Sequence, residues 1–388
     1  MNRVHSKCAH HKHSKILDRV EVGKGGWAWI MVALVLINYQ VHFSSRPQRV
    51  IALMHSDIQD SISPAAILSF LGVNIFRWGI LYGVSEHLEA LVIYSVILAC
   101  ISLETVVALF TAKGFVGLGL RYLSICQLMK GISYILSTRE SAILGPDDRI
   151  IDKPNEAVSV WRFIALPTLC YQSAYPMSPS ISVYSVVMYA LMIRPLAVLS
   201  YYCLKVRCRN AAISFWEDLT VDKYVSVFMW CNLGWVSVFS LVFIAAYGLQ
   251  SELTRFGDRN FFGAWWNASV SGYWRNWNSL VYKWIRRHVH KNLIKRNITI
   301  RSSKLVIFIV SGAVHEYIIG DLLKCRGLGF FAMASQVPLD AFIRFGHRWA
   351  HFNQEIAATV AFNLIGAPGL VLISVMPAKF FEMGLKSQ

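Results

Sequence analysis

Charged side chains are scarce in this sequence. Only 15% of its 388 residues are charged, compared with roughly 25% in an average soluble domain. Because 55% of the residues are hydrophobic, the chain cannot cover itself with a polar surface, which excludes an ordinary soluble fold. The alternation typical of membrane-spanning β-strands is also lacking, so the apolar residues must form helices.

Paired metal-binding motifs, repeats and a cleavable leader are missing too. The eight cysteines are scattered without the spacing of a zinc site, and several lie in apolar runs, where cysteine behaves as a small hydrophobe. We therefore expect neither a metal site nor disulfides. The first 25 residues are basic and histidine-rich, unlike a signal peptide. The sequence shows no internal repeat and no second domain.

The sequence does contain apolar runs whose length matches the hydrocarbon core of a bilayer, about 20 residues. We predict an all-α, polytopic membrane protein with about nine transmembrane helices. The run 114–136 is the weakest, because it carries Arg121 and Lys130. The predicted spans are 27–43, 65–84, 88–112, 114–136, 181–204, 224–249, 305–323, 327–345 and 356–380.

Basic residues are concentrated in the amino-terminal tail, 1–25, and in the loop 251–303. Short loops rich in Lys and Arg stay on the cytosolic side, so both segments are predicted to be cytosolic. The remainder, 26–388, forms one membrane-embedded domain that includes this loop. Attraction to anionic lipid headgroups explains the positive charge of these segments better than a nucleic acid partner does. Binding of a phosphate-bearing soluble substrate is the more specific alternative.

The apolar run 305–323 is interrupted at its middle by ionisable residues. His315 and Glu316 are adjacent there, and such residues at membrane depth usually face a protein interior or a water-filled cavity. A structural hydrogen bond between helices is the alternative. Ser311 and Gly312 lie one turn before His315, so we expect a small-residue notch through which a substrate reaches the imidazole.

Residues 272–290 carry aromatic and apolar side chains at helical spacing, with cations on the rest of the wheel. This pattern predicts one helix that lies in the membrane interface. Asn278 falls on the apolar face, between Trp274 and Val281, where an unsatisfied amide costs about 1–3 kcal/mol. We therefore expect Asn278 to have a specific partner.

The segment 261–267 precedes this helix and is strongly aromatic. Its last three residues are Trp265, Trp266 and Asn267. Two adjacent tryptophans beside polar groups more often anchor a loop than bind a ligand, so anchoring is the favoured interpretation and ligand binding the alternative.

Several motifs occur in an order that resembles one known family. They are LPTLCYQ at 166–172, RFGDR at 255–259, FFGAWWN at 261–267, YWRNWN at 273–278 and SGAVHEY at 311–317. Over 166–376 the chain resembles the membrane-bound O-acyltransferases, and within them the branch of type 1 diacylglycerol acyltransferases and sterol acyltransferases. The segments 255–259 and 336–339 favour the diacylglycerol enzymes.

The resemblance implies an enzyme of the endoplasmic reticulum membrane that makes triacylglycerol from acyl-CoA and diacylglycerol, without a cofactor. It implies catalytic roles for His315 and Asn278, direct transfer without an acyl-enzyme, and homodimers. The partners are then acyl-CoA, a lipid alcohol and membrane lipid, with no nucleic acid. The residues that the resemblance places near the substrates are Trp274, Ser311, Glu316, Met333, Gln336, Trp265, Trp266, Asn267, Lys283, Arg287 and His288.

The chemistry of acyl transfer agrees with these residue types. Moving an acyl group from a thioester to an alcohol needs a base for the hydroxyl proton, and a neutral His315 can supply it. Asn278 can donate a hydrogen bond to the thioester oxygen. Lys283 and Arg287 lie nearer the cytosolic surface, where they can meet the phosphates of CoA.

Three positions depart from the family pattern. Phe262 and Ala264 stand where the family has tyrosine and aspartate, and Ala367 stands where a glutamine is expected before Pro368. The change at Phe262 and Ala264 removes a carboxylate, and we expect it to affect the order of the loop. We expect Ala367 to alter the pocket wall. A sterol or fatty-alcohol acyltransferase and an inactive lipid-binding homologue remain alternatives, whereas a transporter is disfavoured because the sequence lacks inverted repeats and paired broken helices.

Overall fold

The structure is a computed structural model that describes residues 47–61, 114–143, 158–266, 268–323 and 325–386, and the single residues 68, 71, 72, 74, 75 and 78. Within these ranges the chain is mostly helical, and the β-structure is limited to one antiparallel bridge between Met177 and Phe256. The all-α prediction is confirmed for this part of the chain.

Thirteen helices occur in the described ranges. They are α1 (Pro47–Ser61), α2 (Gly114–Ile143), α3 (Val160–Ala165), α4 (Val183–Glu217), α5 (Val221–Leu253), α6 (Val270–Trp277), α7 (Ser279–Ile285), α8 (Lys291–Lys295), α9 (Ile300–Leu323), α10 (Leu328–Ala334), α11 (Gln336–Ala350), α12 (Gln354–Thr359) and α13 (Ala367–Lys386). The helices α4 and α5 contain π-helical turns at Tyr202–Cys208 and Ser240–Ala246. Further π-helical turns, Arg286–His290 and Val360–Gly366, join α7 to α8 and α12 to α13.

Among the residues that the structure describes, four helical segments are long and apolar enough to cross a membrane. They are α4, α5, Ile300–Gly320 of α9, and Gln354–Met376. They agree with the predicted spans 181–204, 224–249, 305–323 and 356–380. The predicted span 114–136 lies within α2, which is not one of these four segments. The predicted spans 27–43 and 88–112, and nearly all of 65–84, lie outside the described residues, so the count of about nine is not confirmed.

The predicted span 327–345 is not one continuous helix. The chain forms α10 and α11, which meet at Ser335. Pro338 has no N–H to give to the carbonyl of Ala334, so it cannot continue the hydrogen bonding of α10 into α11. Pro338 instead lies in the first turn of α11, where proline is favourable. A side chain also occupies a backbone acceptor here. Gln336 Nε2 donates to the carbonyl of Ala332 at 2.9 Å.

The core joins the segment before α4 to the loop after α5. Phe163, Leu166, Phe256 and Phe261 are completely buried in it. Lys130 of α2 donates from Nζ to the carbonyls of Ile164 at 2.6 Å and Leu166 at 2.7 Å. Because these carbonyls lie at the carboxyl end of α3, Lys130 satisfies acceptors that the helix cannot.

Candidate active site

A cavity of about 2250 Å³ lies between α1, α2, α4, α5, α6, α9 and α11. Most of its lining side chains are apolar, and it exceeds the roughly 300–1,000 Å³ of a typical small-molecule pocket. Six of the predicted site residues line it: Trp274, Asn278, Ser311, His315, Met333 and Gln336. These six residues come from four helices and from the break between α6 and α7. The fold brings them together on the surface of one cavity.

His315 lies in the second half of α9, and its ring orientation is fixed by a hydrogen bond. The ring nitrogen Nδ1 lies 2.8 Å from the backbone carbonyl oxygen of Ser311. Because a carbonyl can only accept, Nδ1 must carry the hydrogen and donate. In the neutral ring Nε2 is then the basic nitrogen, which is the arrangement that a general base requires.

Asn278 lies between two helices and not inside one. The predicted single helix over 272–290 is wrong at this residue, where φ is −137° and ψ is 88°. Asn278 Oδ1 accepts the N–H of Val281 at 3.1 Å, so Asn278 caps the amino end of α7. With Oδ1 used in this way, the amide N–H₂ group is the part of Asn278 left to donate toward the cavity.

The aromatic residues 261–266 stabilise this helix break. The N–H of Ser279 donates to the carbonyl of Phe261 at 2.9 Å, and the N–H of Gly263 donates to the carbonyl of Asn276 at 2.8 Å. Asn276 Nδ2 donates to the carbonyl of Ala264 at 3.2 Å. These bonds satisfy backbone groups that a continuous helix would have paired internally.

Trp265 supports the cavity wall from behind and does not line it. Its ring packs on Trp277 with a centroid separation of 5.0 Å, and Trp277 stacks on Trp235 at 4.7 Å. Trp277 and Trp235 line the cavity, whereas Trp265 and Trp266 do not. Anchoring by these tryptophans and ligand binding by them both stay predictions. Asn267 lies outside the described residues.

Trp274 and Gln336 connect α6 to the start of α11. The indole N–H of Trp274 donates to Gln336 Oε1 at 3.3 Å, and Met333 is buried one turn before Gln336. Trp274 also packs edge-on against Phe308 of α9. These contacts hold α6, α9 and α11 around the same part of the cavity as His315.

Glu316 does not line the cavity, although it follows His315 directly. Its Oε1 accepts the N–H of Gly327 at 2.7 Å, and its Oε2 accepts the N–H of Gly329 at 2.9 Å. Gly327 has a φ of +83°, which favours glycine at this turn. Glu316 therefore fixes the connection between α9 and α10.

The notch predicted at Gly312 is occupied by the protein. A Cβ atom at Gly312 would lie 2.9 Å from the carbonyl oxygen of Phe330, so α10 packs directly on this glycine. Small residues allow helix backbones to approach in this way. Ser311 still lines the cavity, but a substrate must reach His315 from another side.

Lys283, Arg287 and His288 contact protein groups away from the cavity. Lys283 pairs with Asp258 at 3.2 Å, and Arg287 donates to the carbonyl of Tyr171 at 2.8 Å. His288 is buried with Nε2 2.8 Å from the hydroxyl of Ser133. Burial, reinforced by neighbouring Arg287, lowers the pKa of His288 to about 3.

Other basic residues line the cavity, and none of them was predicted from the sequence to bind a ligand. Arg286 and His290 lie between α7 and α8, while Arg301 and Lys304 lie in the first turns of α9. None of Arg286, Arg301 and Lys304 has an ion-pair partner among the described residues. We call Arg286, Arg301 and Lys304 the cationic mouth. Arg301 and Lys304 are three residues apart and therefore share one helical face. This spacing was the sequence signal that could have identified them as a pair.

The chain matches the family model of MBOAT, the membrane-bound O-acyltransferase family, over residues 157–376, which is more than half of its length. The chain belongs to the membrane-bound O-acyltransferase family. It is 30% identical over 231 residues to "Diacylglycerol O-acyltransferase 1" of Chlorocebus aethiops, covering 56% of this chain and 45% of that protein. The protein of the same name from Homo sapiens gives 30% identity, with 56% and 46% covered. "Diacylglycerol O-acyltransferase 1-1" of Oryza sativa subsp. japonica is 30% identical over 196 residues, with 46% and 34% covered.

The match spans about half of each of the two animal relatives and a third of the plant one. As a membrane-bound O-acyltransferase, the chain departs from the family pattern at positions that the structure can explain in part. Phe262 is buried against Phe239, with ring centroids 4.9 Å apart, where an apolar ring is well accommodated. The indole N–H of Trp265, next to Ala264, is buried without a partner among the described residues. Ala367 is not among the residues that line the cavity.

Proposed function

We propose that this chain transfers an acyl group from acyl-CoA to a lipid alcohol, with diacylglycerol as the preferred acceptor. The observation that carries the proposal is the orientation of His315. Its Nδ1 donates to the carbonyl of Ser311, which leaves Nε2 as the base in a cavity that Asn278 also lines. The cavity is large enough for two lipid-bearing substrates.

In the proposed reaction, Nε2 of His315 takes the proton of the acceptor hydroxyl. The alcohol oxygen attacks the thioester carbonyl carbon, and the carbon–sulfur bond then breaks. The CoA thiolate leaves and receives the proton from Nε2, so the products are an ester and free CoA. A positioned base of this kind is worth about 10²–10⁴ in rate.

Asn278 is proposed to stabilise the oxygen that becomes negative during the attack. Its N–H₂ group is the available donor because Oδ1 is committed to the N–H of Val281. One such donor is typically worth about 10²–10³ in rate. The cap on α7 also holds the side chain in one orientation, so little reorganisation is needed when the substrate reacts.

The cationic mouth is proposed to bind the phosphates of CoA. Lys304 precedes His315 on α9 by about 16 Å at 1.5 Å per residue. An extended pantetheine arm spans a distance of this order between the thioester and the diphosphate. Arg301 and Arg286 line the same cavity and add positive charge, and neither forms an ion pair with another described residue.

The preference for diacylglycerol rests on the relatives and on the segments 255–259 and 336–339. The names of the relatives state diacylglycerol O-acyltransferase 1. The endoplasmic reticulum location, the cytosolic orientation of the amino-terminal tail and the homodimer are also proposals, and the family resemblance supports them.

The test is an acceptor panel with purified protein. Labelled oleoyl-CoA is supplied with dioleoylglycerol, cholesterol or hexadecanol, and the labelled esters are separated and counted. We expect triacylglycerol to form faster than either other ester. A reversed preference would assign a different acceptor. If no ester forms with any of the three acceptors while lipid binding is retained, the chain is an inactive lipid-binding homologue.

A further inference from the structure

A second polar group faces the cavity from the side of α1 and α4. Tyr201 donates its hydroxyl to Asp57 Oδ2 at 2.7 Å, and Lys205 Nζ lies 3.6 Å from the same oxygen. All three residues line the cavity among mostly apolar neighbours such as Met54, Ile58 and Ala197. The side chains of Asp57 and Lys205 keep 42% and 41% of their surface exposed, so the pair is open to a ligand.

This polar group lines the cavity from helices other than those of the cationic mouth. Asp57 is on α1 and Lys205 is on α4, whereas Arg301 and Lys304 are on α9. Gly234 of α5 packs on Leu204 of α4, and the neighbouring Trp235 stacks on Trp277 with ring centroids 4.7 Å apart. The polar group therefore lies beside the part of the wall that carries Trp277 and Asn278.

The two groups differ in charge and therefore suit different ligands. The mouth is cationic, as an anionic acyl donor requires. In the second group Lys205 is balanced by Asp57, so a phosphate would meet a carboxylate as well as an ammonium group. A neutral lipid alcohol fits better: its hydroxyl can donate to Asp57, while its oxygens can accept from Lys205.

We propose that Asp57, Tyr201 and Lys205 bind the polar end of an uncharged lipid alcohol in the cavity. The inference rests on the proposed acyl transfer and adds which residues bind the acceptor. Tyr201 holds Asp57 in place, and Asp57 with Lys205 contacts the ligand. The acceptor and acyl-CoA then bind to different groups that line one cavity.

The test separates the two substrates kinetically. Initial rates of the full chain in lipid nanodiscs are measured at varied dioleoylglycerol with saturating oleoyl-CoA. They are then measured at varied oleoyl-CoA with saturating dioleoylglycerol. Tyr201→Phe removes one hydrogen bond and is expected to raise the KM for dioleoylglycerol about fivefold. The KM for oleoyl-CoA should not change. Asp57→Asn, which keeps an acceptor for Tyr201, is the second variant and should act in the same direction.

Lys223→Met is the matched control, because Lys223 pairs with Asp218 at 2.9 Å outside the cavity. It should leave both KM values unchanged. Equal increases in both KM values, or no change for dioleoylglycerol in either variant, would overturn the inference and leave the group as a contact between α1 and α4.

Photolabelling with a diazirine-bearing diacylglycerol decides the site without turnover. Label is expected on α1 or near Tyr201 in the wild type, and less of it in Tyr201→Phe. If the wild type makes no ester, the proposed function fails, but this label pattern would still support the site. Absence of label there would overturn it.

Discussion

The carboxylate of Glu316 accepts the backbone N–H of Gly329 at 2.9 Å. Glu316 is therefore directed to the turn before α10, although its neighbour in sequence, His315, lines the cavity. A Cβ atom at Gly329 would lie 3.1 Å from Glu316 Oε2, which is closer than most Cβ contacts, so glycine favours this close approach. Glu316 acts on the site by positioning α10 and the start of α11, which carry Met333 and Gln336.

Replacing Glu316 by alanine should therefore lower stability as well as activity. The substitution leaves the N–H groups of Gly327 and Gly329 without acceptors, at a cost of about 1–3 kcal/mol for each group that stays buried. Glu316→Gln keeps one acceptor oxygen and should have a smaller effect. Thermal unfolding in detergent checks the order, and Glu355→Ala, at an exposed position, is the control. Loss of turnover with unchanged thermal stability in Glu316→Ala would instead mean a direct role in the reaction.

Asn278 can be tested with two variants that separate its cap from its donor. Asn278→Asp keeps a cap for the N–H of Val281 but removes the N–H₂ donor, whereas Asn278→Ala removes both. Each should lower kcat about 10²–10³-fold with little change in the KM for acyl-CoA. Only the alanine variant should also lose stability, by about 1 kcal/mol. An effect of Asn278→Asp on KM alone would show that Asn278 is a binding or packing residue.

The cationic mouth should govern binding of acyl-CoA. Arg301→Gln combined with Lys304→Gln is expected to raise the KM for acyl-CoA about tenfold or more, and the effect should shrink at high salt because exposed charges are screened. The sequence-based prediction that Lys283 and Arg287 bind CoA is tested in the same assay. If neutralising Lys283 and Arg287 raises that KM while the mouth variant does not, the phosphates bind outside this mouth.

The buried state of His288 predicts a pH dependence of stability. Its pKa is lowered to about 3 in the folded chain, against about 6.5 when unfolded. The unfolded state therefore binds the extra proton between these values, and stability falls as the pH decreases from about 6.5 toward 3, by up to about 1.4 kcal/mol per pH unit. The free energy of unfolding, measured between pH 7 and pH 5, should fall less steeply with decreasing pH in His288→Gln than in the wild type. An identical slope would mean that other groups cause the decline.

The sequence predicted the spanning helices better than the breaks between helices. The apolar run 305–323 is found within α9, because length and hydrophobicity alone decide such a segment in lipid. The break at Asn278 was missed because the apolar spacing continues across it. Its cause is long-range: the carbonyl of Phe261 accepts the N–H of Ser279. Asn278 itself was the local signal, since asparagine is favoured as an amino-terminal cap.

Charge was the hardest feature to interpret from the sequence. All the cations of the loop 251–303 fit the positive-inside pattern equally well, so spacing could not separate Lys283, which pairs with Asp258, from Arg301, which lines the cavity. Their difference depends on which helix face meets the rest of the protein. The adjacent pair His315 and Glu316 was similarly ambiguous, because only the turn at Gly327 shows where the carboxylate goes.

The central claim is that Nε2 of His315 is the base for transfer to the acceptor. The most direct measurement is single-turnover formation of labelled triacylglycerol by His315→Ala and wild-type protein, at equal occupancy with labelled oleoyl-CoA and saturating dioleoylglycerol. We expect the variant to bind oleoyl-CoA as the wild type does and to form ester about 10²–10⁴-fold more slowly. Near-normal ester formation by His315→Ala would contradict this account.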